Sequence, residues 1–442
     1  NDEEKLNSVI KNRIRQSTIT MINRWSLISD IIDCDNRNLT HHFEGEQWPN
    51  KTIKLASFKG NLLVHVKPFP KIGISKLSLQ KNEITRIDAQ AFKQIINLTM
   101  LDLSHNQLTT ENLKPAVFEG KFSPDAYEPL EKLVVLNLAH NMLHSLHQDL
   151  FEHMTSLKVL NLSWNLFSII DVRLSIAISS LPHLEELDLS YCDLKTLSDV
   201  HFYSFRSLRK LNLSGNKLTS APKTLEEVTM LETLYLDENP IQIINHLHPF
   251  PSLPKLKELS LCCMPHLTIV GPYAFSGLTS LEFLRIENCP KLESIDDYAL
   301  VTQNNSVAPV WPQLKKLDLS DNALRYLPQQ LLARWDWLEK LDLMNNKWSC
   351  DCNNQYLVSS GNHETHNPLP FVSYFPSNRS IVPYQLKIRG GISVTSKDIA
   401  NLVNIAVVNR SSFTRAKSMI TKESAVFCKF LEKTRLNAFF CW

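Results

Sequence analysis

The chain has 442 residues, of which 43% are hydrophobic and 21% are charged, and its formal net charge is +2. This composition excludes a largely disordered chain and provides enough apolar material for a buried core. The nearly balanced charge gives no electrostatic reason to expect binding to nucleic acid or to an anionic membrane. The sequence also has no apolar run long enough to predict a membrane span.

An eleven-residue frame recurs from residue 53 onward. Each copy has apolar residues eight, five and three positions before an anchor residue, and another apolar residue two or three positions after it. Successive anchors lie 21 to 27 residues apart, except for two longer gaps of 35 and 33 residues. In chain order the twelve anchors are Asn61, Asn82, Asn106, Asn141, Asn165, Cys192, Asn216, Asn239, Met264, Cys289, Asn322 and Asn346.

The spacing of the frame predicts one short strand per copy, with the apolar residues on one face. A single strand cannot bury that face, so we expect the copies to stack and share one core. At the strand end, the anchor amide is expected to bond backbone groups of its own and the adjacent copy, with cysteine as a tolerable substitute. A second apolar row, fourteen residues before the anchors, is predicted to line the far wall of the coils: Phe92, Tyr127, Phe151, Ile178, Phe202, Leu225, Phe250, Phe275 and Leu332.

The frame L-x-x-L-x-L-x-x-N/C-x-L resembles the leucine-rich repeat family over about 300 residues. That resemblance implies an α/β solenoid, a leucine-rich repeat horseshoe of about 12 repeats with a parallel β-sheet on its concave face, capped at both ends. The predicted domains are an N-terminal segment with an N-cap at 1–52, the repeats at 53–349, and a cysteine-containing C-terminal cap with an inserted segment at 350–442.

The cysteines after the last repeat resemble the C-terminal cap of extracellular leucine-rich repeat proteins, in which N-x-W-x-C-x-C opens the motif. The resemblance implies the disulfide pairs Cys350–Cys428 and Cys352–Cys441. This chain departs from the family in length, because 75 residues separate Cys352 from Cys428.

The N-terminal segment resembles only the closing half of the family's N-cap, in residues 33–40 and in Trp48-Pro49. The cysteines expected upstream are absent, so Cys34 has no evident partner. Nine cysteines is an odd number, which leaves at least one thiol free or paired outside this chain.

Eight N-x-S/T sequons favour the secretory pathway, together with the cysteine-containing cap. The alternative is a cytosolic repeat protein with reduced, buried cysteines. The predicted glycosylation sites are Asn38, Asn50, Asn97, Asn161, Asn212, Asn304, Asn378 and Asn409.

The sequence has no nucleophile elbow, phosphate-binding glycine loop or HExxH helix, so we expect no enzymatic activity, no cofactor and no metal site. The adjacent Cys262 and Cys263 are expected to be packed in the coil. A Cys263–Cys289 bridge is the alternative.

The residue between the two leucines of each L-x-L should face away from the core, where the fold does not dictate its identity and a partner can bind. The predicted ligand-binding residues of this concave face are Tyr235, Asp237, Glu258, Phe283, Arg285, Glu287 and Asp188. The alternative is that Tyr235 and Phe283 are strand-forming residues covered by their neighbours. The acidic residues mildly favour a basic partner, and glycans on Asn161 and Asn212 would obstruct the middle of the face.

These observations predict a non-catalytic extracellular protein-binding module, either a secreted binder or the ectodomain of a receptor or adhesion protein. Its partner would be a protein ligand, a co-receptor or a second copy of the chain, through the concave face and the loops at 109–132 and 296–313. Two alternatives are an innate immune pattern-recognition factor that binds microbial glycans or lipids, and a matrix scaffold.

Overall fold

The computed structural model describes residues 30–95, 97–119, 130–197, 205–301, 310–326, 328 and 338–349, together with the backbone of four short strands at 121–123, 126–128, 386–387 and 393–394. The predicted disulfides Cys350–Cys428 and Cys352–Cys441 lie outside the described residues. The same is true of the sequons at Asn304, Asn378 and Asn409.

A parallel sheet whose strands follow one another in chain order dominates the fold. Each of the twelve predicted copies contributes one strand, and a further strand precedes them. The thirteen strands are β1 Ile31–Asp33, β2 Ile53–Ser57, β3 Ile74–Ser78, β4 Met100–Asp102, β5 Val135–Asn137, β6 Val159–Asn161, β7 Glu186–Asp188, β8 Lys210–Asn212, β9 Thr233–Tyr235, β10 Glu258–Ser260, β11 Phe283–Arg285, β12 Lys316–Asp318 and β13 Lys340–Asp342.

The strand register aligns the same leucine of every copy. Leu136 pairs with Leu101 on one side and with Leu160 on the other. Leu211 continues the row, and all of these side chains are buried. The chain is therefore a parallel-sheet solenoid with one elongated core, which confirms the predicted fold.

The anchor asparagines form a ladder of hydrogen bonds along this core. Asn165 donates its Nδ2 hydrogens to Leu138 O of the preceding coil (3.0 Å) and to Leu162 O of its own coil (2.9 Å). Its Oδ1 accepts a hydrogen bond from Leu143 N at 3.1 Å. Equivalent bonds occur at Asn61, Asn82, Asn106, Asn141, Asn216, Asn239 and Asn322.

The copies that lack an asparagine keep part of this pattern. Cys192 donates its thiol hydrogen to Leu162 O at 3.4 Å, and Cys289 does the same to Leu261 O at 3.4 Å. Burial raises the pKa of both thiols to about 12, so they remain protonated donors. Met264 is fully buried and fills the same place with an apolar side chain.

The returning part of each coil has little regular structure. Its described elements are the helix α1 Val172–Ser179, the 3₁₀ turns Gly45–Gln47, Pro115–Val117 and Lys223–Glu227, the parallel sets His65–Val66 with Arg86–Ile87 and Ile243–Ile244 with Ile269–Val270 and Ser294–Ile295, and the antiparallel pair Lys121–Ser123 with Ala126–Glu128. The predicted far-wall residues Phe92, Phe151, Ile178, Leu225, Phe250 and Phe275 are buried. The Tyr127 side chain, Phe202 and Leu332 lie outside the description.

An aromatic cluster covers the first coils. Phe43, Trp48 and Phe58 meet edge to face with ring centroids 5.3 to 5.9 Å apart, and Trp48 also lies 5.7 Å from Phe69. Trp48 donates its indole hydrogen to Phe43 O at 2.9 Å. Cys34 directly follows β1, the first strand of the sheet. It is a buried free thiol, and burial raises its pKa to about 11.

The chain divides into two compact units. The first comprises the described residues up to Ala323 and those from 338 to Asn345. In the second unit, Leu324 N donates to Asn346 Oδ1 at 3.2 Å and Ser349 N donates to Arg325 O at 2.9 Å. It also contains the antiparallel strand pair Leu386–Lys387 and Ser393–Val394.

The ladder predicts the cost of losing one amide. Asn165→Ala removes the amide partner of the buried Leu138 O and Leu143 N. It also leaves Leu162 O with only the thiol bond from Cys192, so we expect the free energy of unfolding to fall by about 1–3 kcal/mol. Urea denaturation followed by circular dichroism measures the change. The control Asn112→Ala removes an exposed amide and should stay within about 0.5 kcal/mol of wild type. An unchanged midpoint for Asn165→Ala would contradict the ladder's role.

Candidate functional site

The thirteen-stranded sheet has one face that points away from the core. In β5, Leu136 is buried, whereas Val135 and Asn137 on either side of it are half-buried. The same alternation recurs from strand to strand, so the first and third residues of the strands form two parallel rows. We call this surface the outer face.

Acidic and amide side chains of the outer face bond the backbone where the strands end. Asp188 Oδ1 accepts hydrogen bonds from Ser190 N at 2.9 Å and from Ser190 Oγ at 2.6 Å. In six other strands the side-chain oxygen of the central residue likewise accepts a hydrogen bond from the backbone N–H two residues farther along the chain. These central residues are Asp102, Asn137, Asn161, Asn212, Asp318 and Asp342. The expectation that the fold does not dictate these residues is therefore wrong, because each satisfies a donor of the turn.

In two of the three copies whose central residue is serine, the carboxylate comes from the preceding strand's end, whereas the buried Ser78 hydroxyl has no hydrogen-bond partner. Asp237 Oδ1 accepts hydrogen bonds from Ser260 Oγ at 2.6 Å and from Cys262 N at 2.7 Å. Asp35 makes the corresponding bonds to Ser57 Oγ and Lys59 N. Asp237, one of the predicted ligand-binding residues, is thus also a structural residue.

Tyr235 and Arg285 depart from this pattern. Each stands at the central position, and its long side chain bonds a neighbouring carboxylate instead of its own backbone. Tyr235 donates its hydroxyl to Glu258 Oε1 at 3.4 Å, and Arg285 donates from Nη2 to Glu287 Oε2 at 2.8 Å. Burial and the nearby Glu258 charge raise the pKa of Tyr235. Backbone satisfaction at the strand end does not account for either residue.

The structure brings six of the seven predicted ligand-binding residues together. Tyr235, Glu258, Phe283 and Arg285 lie on the adjacent strands β9, β10 and β11, where Glu258 pairs with Phe283 and Ser260 pairs with Arg285. Asp237 and Glu287 directly follow β9 and β11. Asp188 stands apart on β7, two strands and roughly 10 Å from β9.

The aromatic rings of this patch are half-buried, whereas Arg285 is exposed. The Lys210 Nζ atom lies 6.0 Å from the Tyr235 ring centroid, and the Lys316 Nζ atom lies 5.1 Å from the Phe283 ring centroid. One lysine side chain therefore lies over each ring, Lys210 over Tyr235 and Lys316 over Phe283. We call the set Tyr235, Asp237, Glu258, Phe283, Arg285 and Glu287 the tyrosine–arginine patch.

A second surface, missed in the sequence, lies where strands β4 to β7 end. The rings of His105 and His140 stack with centroids 3.9 Å apart, His140 and Trp164 are 4.9 Å apart, and Trp164 and Tyr191 are 4.2 Å apart. All three pairs are within 14° of parallel. We call these four residues the aromatic ridge. The sequence does carry a signal for this ridge, because a residue with a ring stands immediately before the anchor in four consecutive copies.

Every residue of the aromatic ridge has a left-handed backbone, with φ between 52° and 56°. Glycine adopts this conformation freely, and Gly60 and Gly215 occupy the same frame position in other copies. A side chain there costs roughly 1–2 kcal/mol. Ring stacking offsets part of that cost, and the fold itself does not require an aromatic residue at this position.

The ridge ends at a glycine. A Cβ atom at Gly215 would lie 2.2 Å from the Tyr191 ring. The ring therefore packs directly over Gly215, and a larger residue at that position would displace it. The Tyr191 hydroxyl donates a hydrogen bond to Glu238 Oε1 at 2.7 Å. That bond raises the pKa of Tyr191 to about 12.

An alternating row of charges precedes the strands from β6 onward. Lys158 pairs with Glu185 at 2.8 Å, and Glu232 pairs with both Arg209 and Lys257. The complete row is Lys158, Glu185, Arg209, Glu232, Lys257, Glu282, Lys315 and Glu339. Such exposed pairs contribute little stability individually.

Other chemistry has little support in the described part of the chain. No cluster of three or more histidine, cysteine, aspartate or glutamate residues is placed to hold a metal ion there. Cys263 and Cys289 are both free thiols, so the alternative of a bridge between them is wrong. None of the described helices is long and apolar enough to cross a membrane.

Comparison with known families gives a match over the repeats. A family model described as leucine rich repeat matches residues 72–120, 121–167, 131–194, 182–241 and 229–290. These matches include every residue of the aromatic ridge and of the tyrosine–arginine patch.

Individual proteins resemble the chain more distantly. Tsukushi of Gallus gallus is 29% identical over 286 residues, which are 64% of this chain and 71% of that protein. Transforming growth factor beta activator LRRC32 of Pongo abelii is 28% identical over 353 residues, 66% of this chain and 52% of that protein. Among solved structures, the APL1 leucine-rich repeat domain is 21% identical with a TM-score of 0.46, covering 81% of this chain and 95% of that one.

The stacking of the ridge predicts how His140 titrates. Burial, with the positive charges of His105 and Lys81, lowers the pKa of His140 below its ordinary value of 6.5. At a pH between the folded and the unfolded pKa of His140, its imidazole is protonated in the unfolded chain and neutral in the folded chain. The contribution of His140 to stability is therefore complete above pH 6.5 and is lost as the pH falls through the lowered folded pKa.

An NMR titration of the His140 Hε1 resonance, assigned with His140→Gln, should give a midpoint below pH 6.5. In His105→Phe the midpoint should move upward, because one positive neighbour is removed while the ring contact is kept. A midpoint at or above 6.5 in the wild type would contradict this description of the ridge.

Proposed function

We propose that this chain, which belongs to the leucine-rich repeat family, is a non-catalytic module that recognises a protein ligand through the outer face of its sheet. One observation carries the proposal. At Tyr235 and Arg285, long side chains replace the aspartate or asparagine that elsewhere bonds the strand end. Because these two side chains make no backbone hydrogen bond at the strand end, they are available to bind a partner.

The composition of the tyrosine–arginine patch supports a protein partner. Tyrosine and arginine are enriched among the residues that contribute most to protein interfaces. Most aspartates of the face already accept backbone hydrogen bonds, as Asp188 and Asp237 do. One carboxylate oxygen of each is thereby occupied, so the rings and the guanidinium of the patch are the groups more available to a partner.

We place this recognition outside the cell, in a secreted protein or the ectodomain of a receptor or adhesion protein. The sequons at Asn38 and Asn50 support this location, because both asparagines are exposed. The name of one relative, a transforming growth factor beta activator, describes a protein that acts on a growth factor. A protein ligand of this chain would be consistent with such a role.

The patch is tested by capture of partners on the full chain. Purified wild type and Tyr235→Ala/Arg285→Glu are immobilised and offered a library of secreted proteins and receptor ectodomains. We expect wild type to capture at least one protein, and the variant to bind it about tenfold more weakly or worse, because both anchors are lost.

The control is Lys76→Ala/Met100→Ala, which alters the outer face on β3 and β4 and leaves the patch intact. It should bind the captured protein as wild type does. Equal binding by wild type and the Tyr235/Arg285 variant would remove the patch from consideration, and weakening by the control variant would relocate the site.

The extracellular location predicts glycans at particular sequons. Asn212 is half-buried and donates its Nδ2 hydrogen to Asp188 Oδ2 at 3.1 Å, whereas Asn38 and Asn50 are exposed. We expect chain secreted from eukaryotic cells to lose mass with a glycosidase. Release in heavy-oxygen water should label Asn38 and Asn50 and leave Asn212 unlabelled. Secreted chain without any loss of mass would count against the secretory proposal.

A further inference from the structure

Six of the sixteen large hydrophobic residues that are exposed in the described part of the chain belong to two adjacent coils of the aromatic ridge. Trp164 is 48% exposed, and Met142 and Leu166, which follow the anchors of adjacent coils, are 48% and 62% exposed. Along the same coil as Trp164, Ile169, Val172 and Ile176 are exposed as well.

The position immediately before the anchor is left-handed in every copy, with φ between 52° and 68°. Side chains as different as Lys81, Cys263 and Asp321 occupy it elsewhere, so the fold does not select an aromatic ring there in four consecutive copies. Because the rings stack face to face, their edges and the neighbouring Met142 and Leu166 are what a partner would meet.

The charges along the ridge have a definite order. The residues immediately before seven successive anchors are Lys81, His105, His140, Trp164, Tyr191, Gly215 and Glu238. Trp164 is the middle member, a positive charge stands at one end and a negative charge at the other. If two copies of this row are placed antiparallel and face to face, Lys81 of one copy lies opposite Glu238 of the other. His105 of one copy then lies opposite Gly215 of the other.

The next row agrees with the same arrangement. The residues immediately after the anchors are Glu83, Gln107, Met142, Leu166, Asp193, Lys217 and Pro240. Reversal about Leu166 places Lys217 opposite Gln107, Glu83 opposite Pro240 and Asp193 opposite Met142, so no like charges face each other. A parallel arrangement would instead set every charge against its own copy.

We propose that a second copy of this chain docks on the aromatic ridge, with the two copies antiparallel and a two-fold axis beside Trp164. The interface is isologous, as in most homodimers: each copy supplies the same apolar centre and the same pair of opposite charged ends. The ridge shares no residue with the tyrosine–arginine patch, although Glu238 at its end directly follows Asp237 of the patch. The proposal does not depend on the ligand proposed above.

Sedimentation velocity of the full chain over a concentration series tests the dimer. Wild type should sediment as a dimer that dissociates on dilution. Trp164→Glu should weaken association by about thirtyfold or more, the size typical of a central aromatic anchor. Leu247→Glu is the matched control, because Leu247 is 70% exposed on a different coil, and it should leave association unchanged.

Charge reversal tests the antiparallel order. Lys81→Glu and Glu238→Lys should each weaken the dimer, and the combined variant should restore it, because each residue meets the other in the second copy. Circular dichroism confirms that each variant is folded. Monomeric wild type, dimeric Trp164→Glu, or failure of the combined variant to restore association would overturn the proposal.

Discussion

The structure depends on the asparagine amide that follows most of its strands. Asn165 donates to carbonyls of two successive coils, so a single side chain both ends its own strand and fixes where the previous coil lies. Repetition of this bond keeps equivalent positions of the frame in neighbouring places along the sheet. The outer face, the aromatic ridge and the row of ion pairs are all consequences of that register.

These surfaces differ in how much the fold demands of them. On the outer face, residues such as Asp188 and Asp237 bond backbone groups and are therefore part of the framework. Tyr235 and Arg285 are not, and the rings of the ridge occupy backbone that favours glycine. A residue's availability for binding is best judged by whether it satisfies a donor of the turn, since exposure alone does not separate the two groups.

The sequence predicted the core because burial and strand geometry impose the same spacing on every copy. Leu136 and Leu160 are neighbours for a reason visible in the frame. It did not predict the bond from Asp188 to its own strand end, because a frame of apolar positions contains no hydrogen-bond geometry. The stack of His140 on Trp164 was missed for a different reason: contacts between copies appear only when one position is read across all of them.

The alternating ion pairs before the strands have a consequence for how such a chain can change in length. Loss of the single coil that carries Arg209 would set Glu185 beside Glu232, two carboxylates where the present chain has a carboxylate and a guanidinium. Loss of two successive coils would preserve the alternation. Gain or loss of an even number of coils in this stretch keeps opposite charges side by side, whereas an odd number brings like charges together.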